Sequence, residues 1–366
     1  MLIRGSQLIL IKYSKNVNSI KNEQILSIQY LRAFAALAIV FHHAREQFPG
    51  FQAIFPSDIG SAGVDIFFVI SGFIMVFITE TGDHSPSKFM WNRIIRIVPL
   101  YWFYTAITVI LYAVAAGLFR GNGLTLPHVI LSLLFIPHPN PGDLSLSPLI
   151  KIGWTLNYEM FFYVVFAIAM SINYSRRVLI TYVFLVLLVT IDSAHLISLP
   201  PEIQFYCRDI VLEFAAGMLL CHAYRAGKLK GKILIGAVLL SLGASALIIN
   251  TSPDLMTFRA IKLGIPAIAI VAGLLACEHS LPKLRVPLFI ANVSYSIYLS
   301  HIMVIAILRY LYPRLGIPTA GLISTITFVL ISLTMGILCG VVSYFVVEKP
   351  LLNLCRHLRK SLRSNT

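Results

Sequence analysis

From residue 26 almost to its end, the chain alternates long apolar stretches with short polar or basic ones. A helix needs about 20 mostly apolar residues to cross the hydrocarbon core of a bilayer. Ten stretches approach that length: 27–46, 60–80, 95–118, 152–172, 178–196, 207–224, 233–250, 260–278, 287–311 and 319–347. The pattern predicts an all-α, polytopic integral membrane helix bundle with about ten transmembrane helices. The last two stretches are long enough to tilt, kink or include turns outside the bilayer. A shorter apolar run at 129–136 lies in the longest loop and reads as interfacial or re-entrant. The loop 120–151 is rich in Pro and Gly, which predicts irregular backbone.

Lys and Arg set the orientation, because short cytoplasmic loops carry an excess of them. With the N-terminus inside, 21 of the 29 Lys and Arg residues fall on inner segments. Only eight fall outside: Arg45, Arg120, Lys151, Arg208, Arg259, Lys262, Arg309 and Arg314. The bias alternates loop by loop and predicts ten spans with both termini cytoplasmic. A tail over 1–25 precedes the membrane domain at 26–355, and a basic cytoplasmic tail over 356–366 follows it.

Composition agrees and narrows the classes. Of 366 residues, 58% are hydrophobic and 12% charged, whereas soluble domains run near about 45–50% and about 25%. A net charge of +14 would point to nucleic acid in a soluble protein. Here the cations cluster between apolar runs, where topology needs them, so no nucleic-acid partner is expected. The five cysteines are scattered without a CxxC pair, which indicates neither a disulfide framework nor a zinc site. No metal is expected. The apolar stretch Leu8–Ile11 lacks a full signal-peptide core and cleavage site.

Ionisable groups inside spans are expensive, so each is a functional suspect. The first span holds Arg32, His42 and His43. Eleven helical steps bring Arg32 and His43 to within about 20° of one face, about 16 Å apart along the axis. His42 points some 80° away. His43 therefore reads as a general base, since an imidazole titrates near neutrality, or as a packing histidine hydrogen-bonded between helices. The second span carries Asp65, and its Ser71-Gly72 reads as close packing. Arg93 and Arg96, at i and i+3, form a paired cationic site of the kind that suits phosphate, or an ordinary inner-face anchor. Glu159 lies about 12 Å along the fourth span from Lys151, too deep to be a surface charge. Tyr298 and His301 belong to a polar stripe, Ser294 to His301, in the ninth span. By topology His43, Asp65, Glu159 and His301 fall in the outer half and the arginine pair at the inner face, which predicts one polar chamber above a basic entrance.

Taken together these motifs resemble acyltransferase family 3, the polytopic membrane O-acyltransferases, and most of all its exopolysaccharide-production branch. The resemblance rests on Arg32-x10-His43, Gly63-Val64-Asp65 with Ser71-Gly72-Phe73, and Arg93-x-x-Arg96 with Pro99 and Tyr101. It continues through Trp154-Thr155-Leu156 to Glu159 with Phe162-Tyr163, Ser296-x-Tyr298-Leu299-x-His301, and Glu348-Lys349-Pro350-Leu351. It implies an enzyme of the bacterial inner membrane that moves an acyl group, acetyl first of all, from acyl-CoA to a hydroxyl of a cell-surface glycan. The partners implied are acyl-CoA, a carbohydrate acceptor and membrane lipid.

In the expected mechanism His43 is the general base, Glu159 orients or charge-stabilises it, and Arg32 positions the donor. Arg93, Arg96 and Tyr101 bind the acyl-CoA, while Asp65, Tyr298 and His301 shape the site. A covalent acyl-histidine relay is the competing route. The rival classes are a transporter or flippase for a lipid-linked saccharide and a non-catalytic scaffold of an export complex.

Overall fold

The computed structural model describes residues 24–48, 50–51, 59–80, 85–115, 123–194, 197–249 and 258–364. The expected tail over 1–25 lies almost wholly outside them. Every regular element among the described residues is a helix, apart from one isolated bridge between Pro139 and Leu146. Helices stand at each of the ten apolar stretches: α1 Leu26–Arg45, α2 Ala62–Glu80, α3 Pro86–Ala115 and, after the loop helix α4 Leu126–Leu133, α5 Trp154–Ile172. They continue with α6 Arg177–Ser193, α7 Val211–Arg225, α8 Ile233–Ile249, α9 Ile265–Ala276, α10 Arg285–Arg314 and α11 Leu322–Ser343. A π-helical turn, Tyr344–Glu348, joins α11 to a final helix, α12 Lys349–Ser364.

Among the described residues, five helical segments are long and apolar enough to span a bilayer by themselves: Ile59–Glu80, Pro86–Val114, Lys151–Ile172, Arg285–Arg314 and Leu322–Arg359. The segments Ile233–Ile249 and Ala260–Ala276 are apolar but shorter. The outward side of α8 exposes Leu234, Leu242 and Ile249, all more than 60% accessible. Such a surface would aggregate in water. In hydrocarbon it is the favoured coat of a helix whose backbone is satisfied internally.

Three boundaries differ from the sequence reading. α3 begins at Pro86 rather than near 95, because Pro fits the first helical turn and the mixed segment 87–93, with Phe89 buried, continues the helix. The apolar run near 129–136 is the short helix α4, capped by the Thr125 side chain accepting from the His128 amide at 3.3 Å. The expected C-terminal tail from 356 is helical as far as Ser364, with Leu351, Leu354 and Leu358 spaced along one face.

The core lies where α1, α2, α5, α7 and α10 meet. α2 and α7 approach closely because each supplies a glycine at the crossing. A Cβ on Gly72 would lie 2.0 Å from the Phe214 carbonyl oxygen, and one on Gly217 would lie 2.0 Å from that of Val69. Small residues at such crossings are the usual means of tight packing in membranes. α1 starts beside α10: the Leu26 and Ser27 amides donate to Glu278 at 2.7 and 2.8 Å, and Tyr30 bonds to Pro282. The end of the bundle where α1 and α10 begin is its basic end.

Candidate active site

At the basic end, Arg32 of α1, Arg93 and Arg96 of α3 and Tyr295 of α10 stand where two cavities meet. One is a vestibule of about 900 Å³ bounded by α3, α10 and α12, with Trp91, Glu348, Arg356 and Arg359 in its wall. The other is a narrow chamber, with about 100 Å³ of room, running inward between α1, α2, α5 and α10. Its polar wall is Ser71, Thr155, Glu159, Tyr163 and Tyr298, and its apolar wall includes Ile39, Val64, Phe67 and Met75.

Each polar wall residue is held. Glu159 accepts from Tyr163, and from Ser71 Oγ at 3.4 Å. The Tyr163 ring in turn lies 5.9 Å from the Arg93 guanidinium. Arg32 donates to Gln29 Oε1 at 3.0 Å and to Ser294 Oγ at 3.1 Å, while Ser296 donates to Glu348 Oε2 at 2.5 Å. Tyr298 donates to the Ile152 carbonyl at 2.7 Å, with its hydroxyl 2.6 Å from Thr155 Oγ1. Ser71, read from sequence as packing, is thus also part of the polar wall.

His43 lies one helical turn beyond Ile39 and lines neither cavity. Its ring stacks on that of His301 with centroids 5.4 Å apart and planes 26° from parallel. His301 is fully buried, its Nδ1 3.2 Å from the Ile297 carbonyl and its Nε2 without a hydrogen-bond partner. Tyr298 lines the chamber and also lies beside this pair, its ring centroid 5.9 Å from that of His301. The carboxylate beside the imidazole is Glu46, whose Oε2 is 3.4 Å from His43 Nδ1 and whose Oε1 is 3.3 Å from His42 Nε2.

The structure therefore divides what the sequence reading joined. Glu159 belongs with Arg93 and Tyr163, and Glu46 takes the position beside His43 that was assigned to it. Asp65 faces neither cavity. It forms a bidentate ion pair with Arg259, Nε to Oδ1 at 3.0 Å and Nη2 to Oδ2 at 2.6 Å, with buried Glu213 interacting with both. Tyr101 is fully buried against Phe135, ring centroids 4.8 Å apart, and lines neither cavity. Of the expected site residues, Arg32, Arg93, Arg96, Glu159 and Tyr298 come together, and His43 with His301 forms a second group beyond Tyr298.

Two omissions had signals in the sequence. Glu46 is three residues after His43, the helical spacing of touching side chains. Glu213 sits inside an apolar stretch, the same cue that marked Glu159. Arg259, counted as a loop charge, is buried, as is Arg45. Among the described residues, His42, His43 and Glu46 bring their ligand atoms within 4.8 Å of one another, close enough to hold a metal ion. The sequence reading did not pick out that spacing.

An apolar helical bundle with ionisable groups gathered round an internal cavity defines a membrane protein with a buried site. The family is settled by comparison. The acyltransferase domain model, that of family 3, matches residues 25–345, and the chain belongs to this family and is an acyl-group transferase. It is 34% identical to the exopolysaccharide production protein ExoZ of Rhizobium meliloti, over 82% of this chain and 92% of that protein. It is 26% identical to the acyltransferase MdmB of Streptomyces mycarofaciens, over 90% of this chain and 92% of that protein. No solved structure matches the chain.

Proposed function

We propose that this protein is an inner-membrane O-acyltransferase that takes an acyl group, acetyl first of all, from cytoplasmic acyl-CoA and places it on a hydroxyl of an exopolysaccharide or related surface glycan. The observation that carries the reading is the junction of the two cavities at Arg32, Arg93 and Arg96. A wide basic vestibule suits a phosphorylated nucleotide, and a narrow channel leading from it suits a pantetheine arm. Guanidinium forks bind phosphate oxygens in pairs. The 34% identity to a protein of exopolysaccharide production supports the acceptor class.

In this reading the basic end faces the cytoplasm, about ten helices cross the membrane, and both termini lie inside. The acyl-CoA phosphates pair with Arg93 and Arg96, and the thioester lies along the chamber towards Ile39 and Tyr298. Glu159, through Tyr163, holds Arg93 in the wall and so positions the donor. Arg32 guards the neck between vestibule and chamber. His43 removes the proton from the acceptor hydroxyl as its oxygen attacks the thioester carbonyl. The carbon–sulfur bond breaks, and the imidazolium returns the proton to the departing thiolate. Glu46 keeps the imidazole oriented and offsets its charge while the proton is held. Tyr298 must turn aside for donor and imidazole to meet, which requires its hydroxyl to leave the Ile152 carbonyl and Thr155.

The test is acyl-CoA consumption by the full chain in lipid nanodiscs, with a glycan acceptor, beside Arg93→Ala/Arg96→Ala and His43→Ala. Donor binding lost in the arginine variant, and turnover lost but binding kept in His43→Ala, is the expected result. Well-folded wild type that binds no acyl-CoA overturns the donor assignment. Full activity in His43→Ala removes His43 from the chemistry.

A further inference from the structure

The vestibule is built from more cations than a pyrophosphate needs. Arg32, Arg93, Arg96, Arg356 and Arg359 line it against the one carboxylate of Glu348. Two of the five come from α12, whose residues Leu352, Asn353, Arg356 and Arg359 share a helical face by their spacing and line the cavity. The opposite face carries Leu354 and Leu358, each more than half exposed. α12 is docked on the second turn of α3: Arg359 Nη1 donates to Asn92 Oδ1 at 3.2 Å, and its guanidinium lies 5.9 Å from the Trp91 ring. Trp91 presents an aromatic surface to the same cavity, and its buried Nε1 has no hydrogen-bond partner. Arg93 and Arg96 stand at the neck, while the α12 arginines and Trp91 lie farther out along the vestibule wall.

An acyl-CoA nucleotide carries two separate anionic groups, the 5′-pyrophosphate that leads into the pantetheine arm and a 3′-phosphate on the ribose. We propose that α12 is a nucleotide-binding element. Arg356 and Arg359 take the 3′-phosphate, and Trp91 stacks with the adenine, so that the enzyme selects CoA esters over carriers without the 3′-phosphate. The proposal rests on the acyl-CoA reading and adds a specificity that this reading does not require. Arg93 and Arg96 alone would hold a pyrophosphate whether or not the ribose is phosphorylated. Trp91 and Arg359, paired by a cation–π contact in the vestibule wall, are an aromatic ring and a planar cation of the kind on which bases stack.

The experiment is calorimetric titration of the full chain in nanodiscs with CoA and with dephospho-CoA, using wild type, Arg356→Gln/Arg359→Gln and Arg356→Lys/Arg359→Lys. Two partly exposed charge-assisted contacts predict that wild type binds CoA about tenfold more tightly than dephospho-CoA. The glutamine variant is expected to bind both equally, at the wild-type level for dephospho-CoA, and the lysine variant to regain part of the preference. Equal binding of the two ligands by wild type overturns the proposal while leaving the donor reading intact. An equal loss for both ligands in the glutamine variant also overturns it, because α12 would then be structural. Failure of wild type to bind either ligand overturns the donor reading itself.

Discussion

Removing one member of the Asp65–Arg259 pair tests whether the far half of the bundle is held by a buried ionic cluster. The Asp65 side chain is 0% and that of Arg259 7% exposed, and two hydrogen bonds join them. They tie α2 to the chain just before the π-helical turn Ala260–Gly264 that leads into α9. Leaving a buried charge without its partner costs about 3–5 kcal/mol. Glu213 of α7 makes the two single changes unequal. In Asp65→Asn the Glu213 carboxyl remains beside Arg259 to offset its charge, so a loss of about 2 kcal/mol is expected, below that range. In Arg259→Gln two buried carboxyls, Asp65 and Glu213, face each other with no cation between them, and a loss of about 4 kcal/mol is expected. The double variant should be less unstable than the sum of the singles by more than about 1 kcal/mol. The assay is unfolding of wild type and the three variants in one detergent, followed by tryptophan fluorescence, for which Trp154 lies 5.8 Å from the Arg259 guanidinium. Arg259→Gln proving no worse than Asp65→Asn, or a cycle additive within about 0.5 kcal/mol, would refute the reasoning.

Three further outcomes follow from the placement of the carboxylates and the glycines. Glu46→Gln should lower kcat by about 10²-fold or more with KM for acyl-CoA little changed, because it loosens the base. Glu159→Gln should raise that KM about tenfold, because it frees Tyr163 and Arg93; steady-state kinetics in nanodiscs that show the reverse split would return Glu159 to the imidazole. Gly217→Val should destabilise the α2–α7 crossing by about 1–3 kcal/mol or more, since even a Cβ would stand 2.0 Å from the Val69 carbonyl oxygen. A melting temperature equal to that of wild type would show that the helices separate freely there.

Much of this protein was legible in the chain. Long apolar stretches commit a sequence to helices in a membrane, because an apolar run in hydrocarbon can satisfy its backbone only within itself. That rule located the ten helical stretches, and the cost of charge in hydrocarbon marked Arg32, Asp65, Glu159 and His301 as residues needing partners. Spacing along one helix was enough to put Arg32 and His43 on a common face. It could equally have paired His43 with Glu46, since both relations are local.

Which partners those charges found was decided only by tertiary structure. Asp65 is joined to Arg259 across 194 positions, and Glu159 is joined to Ser71 across 88. Hydropathy gives the depth of a residue but not the direction in which its helix turns it, nor which helix stands opposite. Four polar residues read as lying at similar depth therefore looked like one chamber. Packing through Gly72 and Gly217 draws α7 against α2, which places Glu213 by Asp65 and closes that group off. The rotation of α5 turns Glu159 towards Ser71 and Arg93. Helix α12 is the plainest case: its basic residues mark an inner-face tail by composition, and only its docking on Trp91 and Asn92 makes it a wall of the vestibule.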